Sequence, residues 1–390
     1  MKIYCYLKHF PFEKDPRSEG VSKAVHGLAS GLVKQGSSVT VLCEGNPAGQ
    51  RITPEGYEIQ CFPSASSSPS WSLAPELQQF FQTQFSQAGA EEAIVILNGI
   101  FHRSVFAVAQ QLRKLRVPYI VAPHDPYHPA IFQKNAYLKW PYWFLVEKQL
   151  LQQATAIQVL DAQHKQWLTR LGIHRPILDL PNGFEAQDVL PEMELQWQCN
   201  NLEQPNSVTR FFFLGRLDAY NKGLDLLIEA FAQHQQSAPA PSNLTIQGAD
   251  WGDRASLEAQ VARLNLAETV KFLPPDYHTS PSQLAVQYDV FCMPSRFEGF
   301  SLSALEAMLA GRVLLVSDVA GIATHVQASG CGVVVQATGE SIYQGMQQLG
   351  NCRDRWPEMG LKGRQYALEN LQWEQIAQRA LEQYRRLEAV

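Results

Sequence analysis

Short apolar and β-branched runs alternate with longer stretches of helical periodicity twice along the chain, the signature of parallel sheets built from strand–helix–strand units. In the first half these runs predict strands over residues 3–7, 39–43, 93–97, 118–122 and 156–160. In the second half they predict strands over 210–214, 244–247, 270–273, 290–293, 313–317 and 332–335. Both halves read as doubly wound α/β domains, so the expected fold class is α/β with two Rossmann-like domains. Between them, over 184–208, Gln, Glu, Asn and Pro crowd together and the periodicity lapses, which predicts the boundary. A shorter polar stretch, 64–72, reads as a loop. At the end of the chain Trp373, Ile376, Ala380, Leu381 and Tyr384 recur at helical spacing, predicting a helix over 371–387. No repeat with a period of 20 to 50 residues is visible.

Length and composition support two cores: 390 residues with 45% hydrophobic and 18% charged positions exceed what one core organises. The formal net charge is −5 and neither half is strongly basic, which argues against nucleic acid as a partner. The 7 cysteines are scattered, with no Cys-x-x-Cys pair, and predict reduced thiols rather than a disulfide framework or a zinc site. A cytoplasmic location follows as the expectation, with no signal peptide before the strand-like Lys2–Leu7. No apolar run reaches the roughly 20 residues that a spanning helix needs. The most aromatic stretch, 137–151, has two readings. It could rest on a membrane surface, making the protein peripheral at the inner membrane face, or form a core helix with Phe144, Glu147, Lys148 and Leu151 on one side.

Ligands of open α/β sheets bind at the carboxyl ends of the strands, so the residues just after each predicted strand are the candidates. After 290–293 the chain reads Pro294-Ser-Arg-Phe-Glu298-Gly299-Phe300-Ser301-Leu302-Ser303-Ala-Leu-Glu306-Ala-Met-Leu-Ala-Gly311. A turn carboxylate, Glu298, is followed by a second, Glu306, in the first turns of a helix. Small residues and a helix start leave backbone N–H groups free near Gly299–Ser303, where an anion or hydroxyl could bind. Glu306 has a second reading, because Ser303-x-x-Glu306 also fits a capping box.

This string resembles the Glu-x7-Glu motif of retaining glycosyltransferases with the two-domain GT-B fold, in family 4, the glycosyl transferases group 1. The resemblance implies that Glu298 binds donor-sugar hydroxyls and Glu306 the ribose. It further implies that the amides of Gly299, Phe300, Ser301 and Leu302 meet the donor phosphate and sugar.

After 210–214 comes Gly215-Arg216-Leu-Asp-Ala-Tyr-Asn-Lys222-Gly223-Leu-Asp-Leu-Leu. A lysine at a helix N-terminus opposes the macrodipole and asks for an anion nearby. Arg216 and Lys222 read either as a pair that neutralises a diphosphate or as two solvated cations. The same family is similar here, with Gly-Arg-x6-Lys-Gly-x3-Leu, and its Arg and Lys clamp the diphosphate.

In the first half, Gly20 opens a helix whose Val21, Ala24, Val25, Leu28 and Leu32 form an apolar face, and it either admits a phosphate or serves as a plain loop residue. Relatives often carry a double glycine where this chain has Glu19-Gly20. The strand 118–122 ends in Pro-His124-Asp125-Pro-Tyr-His128-Pro. His124 at a strand end could donate a hydrogen bond to a sugar hydroxyl or departing phosphate, or bond within its own loop. Relatives place His, often His-Asp, against the donor sugar here. Pro181-Asn182-Gly183 is a turn that resembles the family's first-domain closure; Gly248 and Leu273 resemble its donor-side strand ends. Where many relatives have Gly-Gly-x-x-Glu, this chain has Ala320-Gly-Ile-Ala-Thr324.

The family resemblance implies an acceptor-side domain over 1–190, completed by a terminal helix at 371–390, and a donor-binding domain over 191–370, facing across a cleft. It implies metal-independent, retaining transfer of a hexose-type sugar from a UDP- or GDP-sugar to an unknown hydroxyl of a sugar, lipid or glycan. Glycan, glycolipid or exopolysaccharide synthesis would be the setting. Rival readings are a catalytically silent nucleotide-sugar sensor and another GT-B reaction such as phosphorolysis or epimerisation. A nicotinamide oxidoreductase is disfavoured by the absence of Gly-x-Gly-x-x-Gly after the first strand.

Overall fold

Strands that are covered by helices on both faces must be apolar throughout, and the runs in this chain form just such strands in a computed structural model. Residues 1–64, 71–85, 93–195, 197, 207–238 and 240–388 are described. Residues 65–70 of the polar loop expected over 64–72, and residues 196 and 198–206 of the boundary expected over 184–208, with Cys199 among them, lie outside the described residues. The chain forms two units: Met1–Gly183 with Trp373–Val390, and Phe184–Gln372.

The first unit holds strands β1 (Lys2–Tyr6), β2 (Ser38–Gly45), β3 (Gly49–Ile52), β4 (Glu58–Pro63), β5 (Ala93–Asn98), β6 (Tyr119–Ala122), β7 (Ala156–Val159) and β8 (Ile177–Asp179). Their order is β3-β4-β2-β1-β5-β6-β7-β8, parallel except where β3 meets β4. The helices are α1 (Gly20–Lys34), α2 (Pro75–Phe85), α3 (Arg103–Lys114), α4 (Pro129–Gln133), α5 (Ala136–Tyr142), α6 (Lys148–Gln153) and α7 (His164–Arg170). Strands β3, β4 and β8 were not predicted. Gly49-Gln-Arg-Ile is short and largely polar, and it pairs only at an edge.

The terminal helix, α16 in chain order (Trp373–Glu388), belongs to this first unit. Its Trp373, Ile376, Ala377, Ala380, Leu381 and Tyr384 are buried in one core with Ala24, Val25, Leu28 and Leu32 of α1. The close approach needs glycine: a Cβ on Gly27 would run into the Trp373 indole, and one on Gly31 would crowd the Trp373 carbonyl.

The stretch 137–151 is neither one continuous helix nor turned as expected. Pro141 lies inside α5, a π-helical turn runs over Trp143–Glu147, and α6 follows. Glu147 and Leu151 are buried, whereas Phe144 is 63% exposed, because the wider π turn shifts the helical register between them.

The second unit has strands β9 (Thr209–Leu214), β10 (Ser242–Gln247), β11 (Val270–Leu273), β12 (Val290–Met293), β13 (Val313–Ser317) and β14 (Gly332–Val335), all parallel, in the order β11-β10-β9-β12-β13-β14. Its helices are α8 (Ala219–Lys222), α9 (Leu224–Ser237), α10 (Arg254–Arg263), α11 (Pro281–Ala285), α12 (Leu302–Leu309), α13 (Ala323–Ser329), α14 (Gly339–Gly350) and α15 (Trp356–Asn370). This is the doubly wound Rossmann order, with the direction of winding changing between β9 and β12. Phe211, Phe212, Phe213, Cys292, Leu314 and Val316 are almost wholly buried. The six cysteines among the described residues are free thiols.

Candidate functional site

In the second unit the loops that follow β9 and β12 leave the sheet side by side, at the point where a doubly wound sheet opens a crevice. The first carries Gly215, Arg216 and Lys222; the second carries Glu298 and runs into α12. Lys222 forms an ion pair with Glu298, and the Ser295 hydroxyl donates to the same carboxylate oxygen at 3.3 Å. Both charged side chains are mostly enclosed, at 16% and 13% exposure, which strengthens their attraction relative to a surface pair.

Other charges hold the two loops in register. Arg296 grips Asp225 through two bonds of 2.7 Å and donates to the Tyr220 carbonyl at 2.9 Å. The Arg296 amide donates to the Asn221 carbonyl at 3.0 Å. Gly223 sits in the left-handed region at φ 66°, and a Cβ there would collide with the Pro294 carbonyl. Gly248, at φ 154°, is required for a similar reason: a Cβ would strike the Gly215 carbonyl. Leu273, the last residue of β11, accepts the Gly248 amide at 3.2 Å.

Two local readings change. Lys222 ends the short α8 instead of opening a helix, and the αL residue Gly223 separates it from α9, so it sits at a dipole end that favours a cation. The Ser303–Glu306 capping box does not form. The N-cap of α12 is Ser301, at φ 64°, whose hydroxyl accepts from the Ala304 amide at 3.3 Å, so Ser303 already lies inside the helix. Glu306 is buried on α12, and capping no longer accounts for it. Gly299, Phe300, Ser301 and Leu302 occupy the entry to that helix. Arg216 stands apart from the ion pair, exposed, its guanidinium 4.2 Å above the Trp251 ring. Thr324, in place of the usual Glu, donates to the Gly321 carbonyl at 3.3 Å.

In the first unit His124 follows β6 in the left-handed region at φ 64°. Its Nε2 lies 2.7 Å from Oδ1 of Asn98, the last residue of β5. The Asn98 amide group is fixed, because its Nδ2 donates to the carbonyls of Tyr6 at 3.1 Å and Ile96 at 3.4 Å. The facing Oδ1 can only accept, so Nε2 must carry the proton. Burial holds the His124 pKa down to about 4, which keeps the ring neutral. In this tautomer Nδ1 is a hydrogen-bond acceptor, and the one N–H faces Asn98. His124 lines two small cavities, one with Asn98, Asn182 and Trp373, the other with Asp125, Gln158 and His164. His128 is accounted for locally, accepting the Ala130 amide at 3.2 Å as the cap of α4. Nothing lies within 4 Å of a Cβ built on Gly20, so packing does not require glycine there.

Sequence reasoning missed Asn98, and it placed Glu147 only as one position on a core-helix face. Asn98 is a polar residue closing an otherwise apolar strand just before a glycine, a signal that was available. Glu147 is buried, accepts from the Tyr127 hydroxyl at 2.6 Å and the Phe101 amide at 3.0 Å, and is pushed up to about 7 by burial. It braces the loop that follows β5 and the loop that follows β6.

Comparison with known proteins bears on the family and the fold. Residues 200–365 fit the family model described as glycosyl transferases group 1, and residues 19–183 fit the glycosyl transferase 4-like domain. Each half of the chain thus matches a glycosyl transferase domain. The D-inositol 3-phosphate glycosyltransferase of Nocardia farcinica is 31% identical over 256 residues, 61% of this chain and 54% of the relative. That of Rhodococcus erythropolis is 31% identical over 183 residues, 45% of this chain and 40% of the relative. The chain thus spans about half or less of the length of these curated relatives. Among solved structures, sucrose-phosphate synthase from Thermosynechococcus elongatus superposes with a TM-score of 0.77 at 20% identity, covering 100% of this chain and 99% of that one. Anabaena HepE, in complex with UDP and glucose, superposes with a TM-score of 0.72 at 17% identity, covering 98% and 99%. The fold is GT-B.

Proposed function

We propose that the chain is a retaining glycosyltransferase that moves a hexose-type sugar from a nucleotide-diphosphate sugar to an acceptor hydroxyl. The observation that carries this reading is the Lys222–Glu298 ion pair at the switch point of the second unit, beside the start of α12. A donor would exchange both partners: diphosphate oxygens take Lys222, and sugar hydroxyls take Glu298. Arg216 and the amides of Gly299–Leu302 add positive potential where the leaving group gains charge. Glu306 accepts from the ribose, and backbone at Gly215, Gly248 and Leu273 lines the remainder of the donor site. Gly20, with open space above it, admits phosphate close to the start of α1. His124 accepts a hydrogen bond from a sugar hydroxyl through Nδ1.

In the reaction the bond from the anomeric carbon to the diphosphate oxygen breaks, and a bond to the acceptor oxygen forms on the same face. The acceptor proton passes to the leaving diphosphate, so no side-chain nucleophile takes part. Lys222, Arg216 and the helix amides do the work a metal would otherwise do. The 1–190 region with the terminal helix supplies the acceptor side and 191–370 the donor side. Fold neighbours were solved with UDP, UDP-glucose and UDP-2-fluoro glucose, so UDP-hexoses are the first donors to try, followed by GDP-sugars.

The test is a thermal-shift screen with UDP, GDP, ADP and their sugars, followed by anomeric analysis of the product by NMR with and without EDTA. One nucleotide and its sugar should raise the melting temperature, since ligand binding stabilises by mass action. The product should keep the donor's anomeric configuration, and EDTA should not slow its formation. No shift with any nucleotide would overturn the reading, as would an inverted product.

A further inference from the structure

The segment from α5 through the π turn to α6 has two faces that differ in kind. Trp143, Val146, Leu150 and Leu151 point into the first unit and are buried. On the other side Tyr137 (76% exposed), Leu138 (59%), Trp140 (39%), Phe144 (63%) and Leu145 (74%) stand in solvent. The outward face of a surface helix is ordinarily polar. Five large apolar side chains within residues 137–145 instead make a patch of the kind that marks an interaction site. The segment's own charge has one sign: residues 129–153 carry Lys134, Lys139 and Lys148, and their only acid, Glu147, is fully buried, while Asp125 outside the segment faces Lys139. This cationic rim belongs to a chain whose net charge is −5.

We propose that this face docks on an anionic lipid surface, lying within the headgroup layer. No helix among the described residues is long and apolar enough to cross a membrane. Trp140 and Tyr137 have the amphipathic rings that settle at the interface, while Leu138, Phe144 and Leu145 are suited to reach the acyl boundary. Two other occupants fit less well. A sugar chain would stack on aromatic rings but gain little from the two exposed leucines. A second copy meeting the same patch across a two-fold axis would bring like-charged lysines together.

The experiment is co-sedimentation of the full chain with vesicles of phosphatidylcholine alone and of phosphatidylcholine mixed with phosphatidylglycerol. Binding is expected only to the mixed vesicles and should weaken as salt is raised. Phe144→Glu combined with Leu145→Glu should reduce it at least tenfold. Lys134→Ala and Lys148→Ala should each reduce it about fivefold, the equivalent of ~1 kcal/mol per cation at an anionic surface. Phe144, Leu145 and Lys134 are exposed, whereas Lys148 is half-buried with its ammonium beside Gly172; for the first three the melting temperature and its shift with nucleotide should stay unchanged, separating a docking defect from a damaged donor site. Equal binding to both vesicle types, or no binding to either, overturns the proposal. A wild-type dimer in lipid-free buffer that the double substitution dissociates also overturns it, since a second copy then covers the face.

Discussion

The strand ends of the two units are built on opposite electrostatic plans. In the second unit the loops after β9 and β12 are joined by full charges, Lys222 with Glu298 and Arg296 with Asp225. In the first unit burial pushes the corresponding groups towards their uncharged forms, holding His124 down to about 4 and raising Glu147 to about 7, and they are fixed by carbonyls, an amide and a phenol. Ionic partners that can be exchanged suit a ligand that brings its own charge, such as a diphosphate. Neutral groups of defined polarity suit hydroxyls, which need one donor or acceptor each. On the proposed function, the exchangeable cations that meet the diphosphate are concentrated in the second unit, while His124 in the first offers a neutral acceptor to a hydroxyl.

The strongest way to break that division is to remove one charge of the second unit. Lys222→Ala or Glu298→Gln should lower the transfer rate about 10³-fold, roughly 4 kcal/mol of transition-state stabilisation, in line with the loss of a preorganised electrostatic group. Steady-state kinetics with the donor found by thermal shift would check this, with circular dichroism to show an intact fold. Turnover at the wild-type rate in either variant would remove the pair from the mechanism. Two glycines separate a packing requirement from a binding one. Gly223→Ala forces a Cβ into the Pro294 carbonyl at positive φ and should destabilise the second unit by about 3 kcal/mol. Gly20→Ala meets nothing; it should leave the melting temperature where it is and weaken only nucleotide binding, as isothermal calorimetry would show.

These two sites were unequally legible in the sequence. The second unit could be read closely because its strands are continuous apolar runs and its chemistry sits in contiguous strings: Gly215–Gly223 and Pro294–Gly311 each carry strand end, turn and helix start together. What the strings hid was register within them. Nothing local told whether Lys222 ends one helix or begins the next, or whether Ser301 or Ser303 caps α12, since both choices satisfy the spacing. In the first unit the decisive partners lie far apart: Asn98 and His124 are joined only by the pairing of β5 with β6, and Glu147 reaches Phe101 and Tyr127 from a different element again. Such long-range pairs leave no mark on periodicity. For the aromatic stretch 137–151 the sequence left an outward and a core reading open, and what it did not show was the π turn that sets which side chains face out.

A pH series sharpens the comparison. His124 and His164 are both held down to about 4 by burial, against an ordinary 6.5. Once unfolded, these rings take up protons below 6.5 while the folded chain does not, so stability present above 6.5 is lost as pH falls towards 4. Glu147 runs the other way: raised to about 7 from 4.5, it favours the folded state at low pH and withdraws that support as pH rises from 4.5 to 7. Between 4.5 and 6.5 two histidines oppose one carboxyl, so the net change on acidification is a loss, of about 2 kcal/mol. Glu147→Gln removes the opposing contribution and should make the fall in melting temperature over that range steeper. A shallower fall would show that Glu147 is ionised in the folded chain.

The finest test concerns a single proton. If Asn98 Oδ1 fixes the His124 tautomer, Asn98→Ala leaves the ring free to carry its proton on either nitrogen, and about half the molecules should then present the wrong polarity to a hydroxyl. The lost fixation and orientation together should cost about tenfold in transfer rate, or ~1.4 kcal/mol, well short of the loss expected at Lys222. Nitrogen shifts of the labelled imidazole decide the cause. The wild type should show Nε2 protonated and Nδ1 bare across neutral pH, and the variant a mixture of the two. A merely structural role for Asn98 would lower the rate without mixing the tautomers. A wild-type spectrum with Nδ1 protonated would return His124 to the donor role that its place at a strand end first suggested, and would erase the distinction in polarity drawn between the two units.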